Sequence, residues 1–210
     1  MSTLRLFLLG ATGRTGRPFL EQAITRGHQV TAFVRSPEKL AGVTGAAVVQ
    51  GDPRKADQLR AALAGHDAVV SALGHENLGP STLLGDAAKS TLSAMGETGV
   101  RRLIVVSAAM LFEDAGFIAA VLRRTLLRNV AVDLIEMERI VMASELDWTV
   151  VRPPRLTEAA LTNEYLVADG TIPKDGASFV TSRADVAHFM VEELERNSHV
   201  RRIVGMATRK

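Results

Sequence analysis

The amino-acid sequence predicts an α/β protein built on a doubly wound parallel sheet. Short runs rich in Val, Ile and Leu alternate with longer segments of helical periodicity along the chain. The short runs lack polar alternation, which is typical of strands buried on both faces of a parallel sheet. A glycine-rich segment, Gly10–Gly16, follows the first run and opens a helical segment. This order favours repeated strand–helix–strand units with right-handed crossovers.

Short apolar runs predict the strands, and the periodic segments between them predict the helices. In chain order, the predicted strands are Leu4–Leu9, Val30–Val34, Ala46–Val49, Ala68–Ala72, Leu103–Val106, Thr149–Val151 and Arg202–Val204. The predicted helices are Thr15–Arg26, Lys55–Ala64, Thr82–Thr98, Val132–Ser144 and Ser182–Asn197. Ser182 is expected to cap the last of these helices, because a serine side chain can accept a hydrogen bond from a first-turn N–H group.

Two segments interrupt the alternation. Residues 112–129 predict a short amphipathic helix with a basic face, either packed on the body of the protein or closing over a substrate pocket. Residues 153–176 predict a loop with short strands, near the carboxyl ends of the sheet where ligands bind. Both are interpreted as small substrate-side insertions in a single domain that spans residues 1–210.

The composition is that of an ordinary globular protein. The chain has 210 residues, 47% hydrophobic and 23% charged, with a formal net charge of +2. This small charge excess gives no reason to expect nucleic-acid binding. Cysteine is absent, which excludes disulfides and thiolate nucleophiles. Apolar runs are shorter than the roughly 18 residues of a membrane span. We expect a cytoplasmic protein that binds no membrane and is a monomer or a homodimer.

The glycine-rich segment predicts a dinucleotide site. Its spacing is G-x-x-G-x-x-G, which follows a predicted strand and precedes a predicted helix. Glycines in this context form the tight turn and let the backbone approach a pyrophosphate. The helix N-terminus then offers unpaired N–H groups and a positive dipole end. The alternative is a strand–turn–helix unit without a ligand.

The end of the second strand favours NADP(H) over NAD(H). NAD sites usually carry an acid about 20 residues after the glycines, where it binds the ribose 2′-hydroxyl. Here Arg35 ends the strand, and the first acid after it is Glu38. A guanidinium group suits a phosphate. Arg14, within the glycine-rich segment, could reach the same 2′-phosphate. The alternative for Arg35 is an exposed residue at a strand end.

Several of these motifs together resemble the atypical short-chain dehydrogenase/reductases, which have a Rossmann fold. They are G-A-T-G-R-T-G at 10–16, V-R-S-P-E-K-L at 34–40, G-D at 51–52, S-A-L-G at 71–74, V-S-A at 106–108 and W-T-V-V-R-P-P-R-L at 148–156. The sequence is most similar to the branch that contains biliverdin-IXβ reductase/flavin reductase and the nitrogen-metabolite-repression regulator. The likeness covers nearly the whole chain, and its cofactor motifs are more specific than its substrate motifs.

The resemblance implies contacts to the phosphate and adenine parts of the cofactor. It assigns the pyrophosphate to the glycine-rich segment, through Gly10, Thr12, Gly13, Arg14, Thr15 and Gly16. It assigns the 2′-phosphate to Arg35 and places Asp52 beside the adenine. From the residues alone, Asp52 could equally cap the turn that follows the third strand.

The resemblance also implies contacts near the reacting end of the cofactor. Leu73 and Gly74 would lie by the ribose, and Ser107 at the nicotinamide end. The backbone of Pro153 and Pro154 would line the nicotinamide side. For Ser107, a strand-end hydroxyl bonded to the backbone is the structural alternative.

The proton-donating pair that is typical of this superfamily is absent. Members usually carry Tyr-x-x-x-Lys, but the fourth residue after Tyr165 is Asp169, and Tyr165 is the chain's one tyrosine. Tyr165 is expected on a half-buried strand. Without that pair, hydride transfer to a flat conjugated acceptor, such as a flavin, quinone or tetrapyrrole, is the favoured activity. Ser107 and His75 are the catalytic candidates. His75 follows Gly74 and could act as a proton donor, and the alternative is an exposed loop residue.

The same absence is compatible with a non-catalytic redox sensor that binds NADP(H) and reports through a partner. The remaining acids suggest no further site, since no pair of histidines or carboxylates has metal-ligand spacing. Asp133 is expected at the N-terminus of its own helix, where the helix dipole favours an acid. Glu136 and Glu138, in the same helix, are interpreted first as surface or packing groups.

Overall fold

A largely parallel sheet flanked by helices forms the centre of the molecule. In this computed structural model, which describes residues 2–75, 77–174 and 176–209, eight strands pair into one sheet and two more form a small parallel pair. The strands are β1 (Arg5–Leu9), β2 (Gln29–Val34), β3 (Ala46–Gln50), β4 (Ala68–Ser71), β5 (Arg102–Val106), β6 (Asp147–Arg152), β7 (Arg155–Thr157), β8 (Tyr165–Asp169), β9 (Val180–Ser182) and β10 (Arg202–Thr208). The helices are α1 (Gly16–Thr25), α2 (Ala56–Leu63), α3 (Leu83–Thr98), α4 (Phe117–Arg124), α5 (Arg128–Met142) and α6 (Arg183–Arg196).

The strand order of the main sheet identifies where a ligand would bind. The order is β3-β2-β1-β4-β5-β6-β10-β8, with β8 antiparallel to β10 and the other neighbours parallel. The chain moves outward from β1 to β3 and then returns to β4 on the other side of β1. Ligands of doubly wound sheets bind at this reversal, beyond the carboxyl ends of the strands. The predicted fold class is confirmed.

Both faces of the sheet are covered, which explains the continuous apolar runs. Leu6 and Leu8 of β1 pack in one buried cluster with side chains of α1 and α6. Phe7 and Leu9, which alternate with them, pack in a second cluster with α2, α3 and α5. Alternating side chains of a strand point to opposite faces. The carboxyl edge of the sheet is therefore bordered by the first turns of helices from both layers.

The segment 112–129 differs from the packed helix that was one expectation for it. Two 3-10 turns, Ala109–Leu111 and Glu113–Ala115, precede α4, and every described residue of α4 is at least partly exposed. Phe117 and Ile118 are 82% and 74% exposed. The sheet faces are already covered by the other helices, so α4 has no buried apolar surface to complete. Although α4 is apolar, neither it nor another described helix is long and apolar enough to cross a membrane.

Tyr165 occupies the half-buried strand expected for it, and its hydroxyl is engaged away from the sheet reversal. In β8, the Tyr165 Oη lies 2.8 Å from Nδ1 of His188 on α6. Nη2 of Arg26 lies 2.6 Å from the other ring nitrogen, Nε2. Arginine can only donate, so Nε2 must accept and His188 is held neutral. Burial, followed by the charge of Arg26, lowers the pKa of His188.

We expect His188 to make the stability of the protein depend on pH. The unfolded chain takes up a proton at this histidine near pH 6.5, whereas the folded chain resists it because its pKa is lowered. The stabilisation is therefore complete above that pH and decreases as pH falls below it. Urea unfolding at pH 8 and pH 5.5 should show that wild type loses more stability on acidification than His188→Gln. Equal losses in the two proteins would contradict this expectation.

Candidate functional site

Two glycines of the 10–16 turn are required by the fold itself. Gly10 has φ of 81°, and a Cβ atom there would lie 2.6 Å from the carbonyl oxygen of Ala72. A Cβ atom on Gly16 would overlap the carbonyl oxygen of Gly10. The first glycine thus forms the turn beside β4, and the last lets α1 approach the end of β1. These are the roles that the spacing predicts.

Gly13, the middle glycine, is less constrained by its surroundings. Its N–H group donates to the carbonyl oxygen of Gly10 at 2.9 Å. A Cβ atom there would lie 3.1 Å from that same oxygen and 3.8 Å from the oxygen of Ala72. Because Gly13 has no side chain, the space beside its Cα atom is empty. A pyrophosphate needs this space to approach the backbone closely, and a larger residue would fill it.

The N-terminus of α1 is open, in contrast to two other helices. Thr15 precedes α1, and its side chain makes no capping hydrogen bond with any residue that the structure describes. In α6 the Ser182 side chain accepts from the N–H group of Asp185, as predicted. In α3 the first N–H groups donate to the carboxylate of Asp133. The Arg17 N–H group already donates to the carbonyl oxygen of Gly13, and Pro18 has no N–H group. What the uncapped end of α1 offers a phosphate group is therefore its positive dipole end at the sheet reversal.

A cleft of about 400 Å³ lies at the carboxyl ends of β2 and β3. Its lining residues are Arg35, Gln50, Gly51, Asp52 and Gln58. The Arg35 side chain is exposed. The cleft brings together the residue predicted for the 2′-phosphate and the residue predicted for the adenine.

Asp52 caps the turn after β3, one of the two roles considered for it. Its Oδ1 accepts from the backbone N–H group of Arg54 at 3.0 Å, and the Arg54 guanidinium bonds both carboxylate oxygens. Arg54, followed by Arg35 as the more distant charge, lowers the pKa of Asp52 to about 2 against the effect of burial. Arg54 was not identified from the sequence, where it reads as one more charge in a polar turn.

The Arg14 side chain points toward the segment that follows β7. Its guanidinium bonds the carboxylate of Glu158, which follows β7, and Glu158 also bonds Arg183 at the start of α6. Both Arg14 and Glu158 are more than half exposed. Arg14 would have to exchange Glu158 for a phosphate to act as the sequence predicts.

The end of β4 lies against the glycine-rich turn. The N–H group of Ala72 donates to the carbonyl oxygen of Leu9 at 3.0 Å, extending the pairing of β1 and β4. A Cβ atom on Gly10 would lie 2.9 Å from the backbone nitrogen of Leu73. Gly74 follows, exposed, with open space on the side where a Cβ would stand. The structure therefore places Leu73 beside the turn, with Gly74 directly after it in the chain.

Ser107 lies beyond β5 with a buried hydroxyl that lacks a partner. Its N–H group donates to the carbonyl oxygen of Val151 at 2.7 Å, while its Oγ makes no hydrogen bond within the described part of the chain. The side chain is therefore not the backbone-bonded hydroxyl that was the alternative. A buried polar atom without a partner costs about 1–3 kcal/mol. This cost is offset when a ligand supplies the partner.

The two prolines after β6 adjoin Ser107. Pro153 is buried, and its carbonyl oxygen accepts from the N–H group of Ala109 at 2.8 Å. Pro154 is partly exposed. One lone pair of the Pro153 carbonyl oxygen therefore already holds the segment after β5. This oxygen has one lone pair left to accept a hydrogen bond from a nicotinamide amide.

The expected position of Asp133 is wrong. The helix begins at Arg128, four residues before the predicted start, so Asp133 lies in its second turn and is buried. Its carboxylate reaches the start of α3 and also lies 3.0 Å from Nε2 of His75. The periodicity that begins at Val132 gave no sign of the earlier helical turn.

Glu138 is a buried packing group, one of the two roles considered for it. Its carboxylate is paired with the guanidinium of Arg152, which ends β6. The Arg152 Cζ atom lies 4.7 Å from the centroid of the Phe112 ring. Glu138 therefore holds Arg152 in contact with Phe112, and this contact supports the segment after β5. The sequence contained a signal for this burial, because Glu138 lies on the same apolar face of the helix as Met137 and Val141.

Comparison with known proteins agrees with this arrangement. Residues 10–197 match the NAD(P)H-binding family. The chain is 26% identical to UPF0659 protein YMR090W of Saccharomyces cerevisiae, over 98% of this chain and 94% of that protein. The solved oxidoreductase ylbE of Lactococcus lactis is similar with a TM-score of 0.83 and 21% identity, covering 99% of this chain and 92% of that one. A short-chain dehydrogenase/reductase of Veillonella parvula in complex with NADP has a TM-score of 0.79 and 17% identity, covering 98% and 95%.

The solved structures establish the fold, and the family match extends over the glycine-rich turn, the ends of β2 to β6 and the first turns of the helices around them. The site described above lies within the matched residues. This chain belongs to the NAD(P)H-binding family and has a Rossmann fold.

Proposed function

We propose that the protein is an NADPH-dependent reductase that transfers hydride to a flat conjugated acceptor, such as a flavin, a quinone or a linear tetrapyrrole. The observation that carries the proposal is the buried Ser107 hydroxyl at the carboxyl end of β5, which has no hydrogen-bond partner among the described residues. In a family that binds nicotinamide dinucleotides, this is the position from which a side chain can hold the nicotinamide or the acceptor.

The residues around the sheet reversal fit such a dinucleotide. Its pyrophosphate would bind at the open end of α1, against the segment that contains Gly10, Thr12, Gly13, Arg14, Thr15 and Gly16. Its adenine would lie in the cleft beside Asp52, and its riboses would cross the end of β4 at Leu73 and Gly74. The nicotinamide end would meet Ser107, Pro153 and Pro154. When bound, the reduced dinucleotide supplies the hydride.

The preference for NADP(H) over NAD(H) rests on charge at the end of β2. Arg35 lines the same cleft as Asp52, where a 2′-phosphate of the adenine ribose would lie. A carboxylate there would repel the phosphate, and the residue that follows β2 is Arg35 instead. Arg14 would assist if it released Glu158.

The choice of acceptor follows from the groups available for proton transfer. The Tyr165 hydroxyl is bonded to His188, and burial raises its pKa. It is therefore unsuited to protonate a substrate. Flat conjugated acceptors take hydride with less help from an acid. The segment after β5 offers them an apolar wall, because Leu111 and Phe112 are buried there beside the partly exposed Met110. Ser107 and His75 are the groups within this region that can exchange hydrogen bonds or protons.

The proposal is tested by mixing the protein with NADPH and either FMN or a small quinone, and following the nicotinamide absorbance. We expect steady loss of NADPH above the protein-free rate. Binding of NADPH without turnover across flavins, quinones and tetrapyrroles would overturn the reductase assignment and support a redox sensor. Failure to bind NADPH at all would overturn both.

Ser107→Ala is expected to lower turnover without lowering stability. The substitution removes a buried hydroxyl whose desolvation is uncompensated, so the free energy of unfolding should be unchanged or about 1 kcal/mol higher. The acceptor or nicotinamide loses a hydrogen bond, so the NADPH-dependent rate should fall. Rates are measured in the quinone assay and stability by urea unfolding.

Thr91→Val is the matched control. Thr91 also has a buried hydroxyl without a partner in the described structure, but it faces a small void between α3 and the sheet. The Thr91→Val protein should also gain stability, because it loses an unpaired buried hydroxyl, and it should keep the wild-type rate. A Ser107→Ala protein that is less stable but equally active would show that Ser107 is structural.

A further inference from the structure

His75 and Asp133 are brought together from distant parts of the sequence. His75 follows β4 on the same side of the sheet as Ser107, and Asp133 projects from α5. Both side chains are largely buried, with exposed fractions of 8% and 1%, and their Nε2 and Oδ2 atoms are 3.0 Å apart. We propose that they act as a proton-transfer pair, in which His75 protonates the reduced acceptor and Asp133 positions His75. This inference rests on the proposed reductase function.

The contacts of Asp133 determine the tautomer of His75. Its Oδ1 accepts from the N–H group of Gly85 at 2.9 Å, and its Oδ2 accepts from the N–H group of Leu84 at 3.1 Å. Backbone N–H groups donate only, so the carboxylate is held in position as an acceptor. The remaining contact to Oδ2 must therefore come from a proton on Nε2 of His75. This leaves Nδ1 as the nitrogen that gains and loses a proton.

Nδ1 of His75 is the ring nitrogen that does not contact Asp133. It has no hydrogen-bond partner among residues 2–75, 77–174 and 176–209. β4 pairs with β5, with Ser71 opposite Val105, so His75 and Ser107 both follow the carboxyl ends of neighbouring strands. This is the edge of the sheet where the nicotinamide and the acceptor would meet in the proposed function.

Hydride transfer to a quinone requires one additional proton, which this pair can provide. The quinone gains a hydride, with both electrons, from the reduced dinucleotide, which becomes NADP⁺. The resulting hydroquinone anion takes the Nδ1 proton of protonated His75, completing the hydroquinone. Neutral His75 then regains a proton from water. The Asp133 carboxylate keeps the ring in one orientation and in one tautomer during this exchange.

Other charged groups near the pair are engaged with different partners. They lie on the first turns of α3 and on the adjoining turn of α5: Asp86 accepts from Thr82, and Glu136 is paired with Arg139 and Lys89. Among the described residues, Asp133 is the charged group in direct contact with the His75 ring. A pH effect that changes in Asp133→Asn can therefore be attributed to the hydrogen bond between Asp133 and His75.

Nitrogen-15 NMR of the histidine rings tests the geometry without cofactor or turnover. The His75 signals are assigned by their loss in His75→Gln. We expect a proton on Nε2 and a free lone pair on Nδ1 when the ring is neutral. In Asp133→Asn the amide can donate to Nε2, so the proton should shift toward Nδ1. A proton on Nδ1 in wild type, or an unchanged tautomer in Asp133→Asn, would overturn the proposal.

The pH dependence of quinone reduction tests the chemistry. With saturating NADPH, the wild-type single-turnover rate should fall as rising pH removes the proton from His75. His75→Gln should be slower and lack this limb, while its dissociation constant for NADPH stays unchanged. In Asp133→Asn, the fall of the rate with rising pH should move to a different pH or disappear. This change should exceed any effect of the variant's reduced stability. Thr91→Val should keep the wild-type profile.

The outcomes separate this inference from the proposed function. Turnover with an unchanged pH limb in His75→Gln would overturn the role of His75 and Asp133 and leave the reductase assignment intact. Binding of NADPH without turnover in wild type, with every acceptor class, would overturn both.

Discussion

Gly16→Ala is expected to destabilise the protein severely, whereas Gly13→Ala is expected to keep the fold and weaken dinucleotide binding. A methyl group on Gly16 would overlap the backbone carbonyl of Gly10, which cannot move without displacing β1 from α1. Overpacking of this kind costs about 3 kcal/mol or more, a large share of the roughly 5–15 kcal/mol that stabilises a domain.

At Gly13 the nearest atom to the same methyl group is 3.1 Å away, so the fold can adjust. The methyl group would instead occupy the space proposed for the pyrophosphate. Thermal unfolding and NADPH titration of both variants separate the two effects. Normal NADPH affinity in a folded Gly13→Ala protein would show that the pyrophosphate does not approach this turn.

Arg35→Ala is expected to weaken NADPH binding about ten- to a hundredfold and to leave NADH binding nearly unchanged. Hydrogen bonds to charged groups contribute about 1.5–3 kcal/mol, which corresponds to that range of dissociation constants. NADH lacks the 2′-phosphate, so it gains nothing from the guanidinium. Fluorescence titration of the two dinucleotides measures the ratio directly.

Arg17→Ala is the matched control for the loss of one positive charge. Arg17 is a partly exposed arginine of α1 whose side chain is paired with Glu21 on the same helix. It should leave the ratio of the NADPH and NADH dissociation constants unchanged. The same ratio in Arg35→Ala as in wild type would mean that the cleft beside Asp52 does not hold the 2′-phosphate.

Local patterns in the sequence predicted the elements around the dinucleotide site well. The turn at Gly10 and Gly16 could be predicted because the conformations it needs are accessible chiefly to glycine. The Ser182 cap could be predicted because it depends on residues within one helical turn. The interior strands β1, β2, β4, β5 and β6 are largely buried on both faces, so their apolar runs are continuous, whereas the edge strand β3 is largely exposed.

Contacts between distant residues could not be predicted in the same way. Asp133 caps a helix that begins 50 residues earlier in the chain, and its contact with His75 depends on how α3 and α5 pack. The pairing of Arg14 with Glu158 likewise joins residues on opposite sides of the fold. The exposed α4 shows the converse limit, since amphipathic periodicity reports an apolar face but not whether the rest of the fold leaves a surface for it.

The central claim is that bound NADPH transfers hydride to an acceptor next to Ser107. It is tested most directly by single-turnover reduction of a small quinone, comparing NADPH with NADPH carrying deuterium at the transferred position of nicotinamide C4. We predict oxidation of NADPH by the quinone in the presence of the protein, slowed by deuterium and slowed further in Ser107→Ala. Tight binding of NADPH, with an oxidation rate equal to that without protein, would contradict the claim.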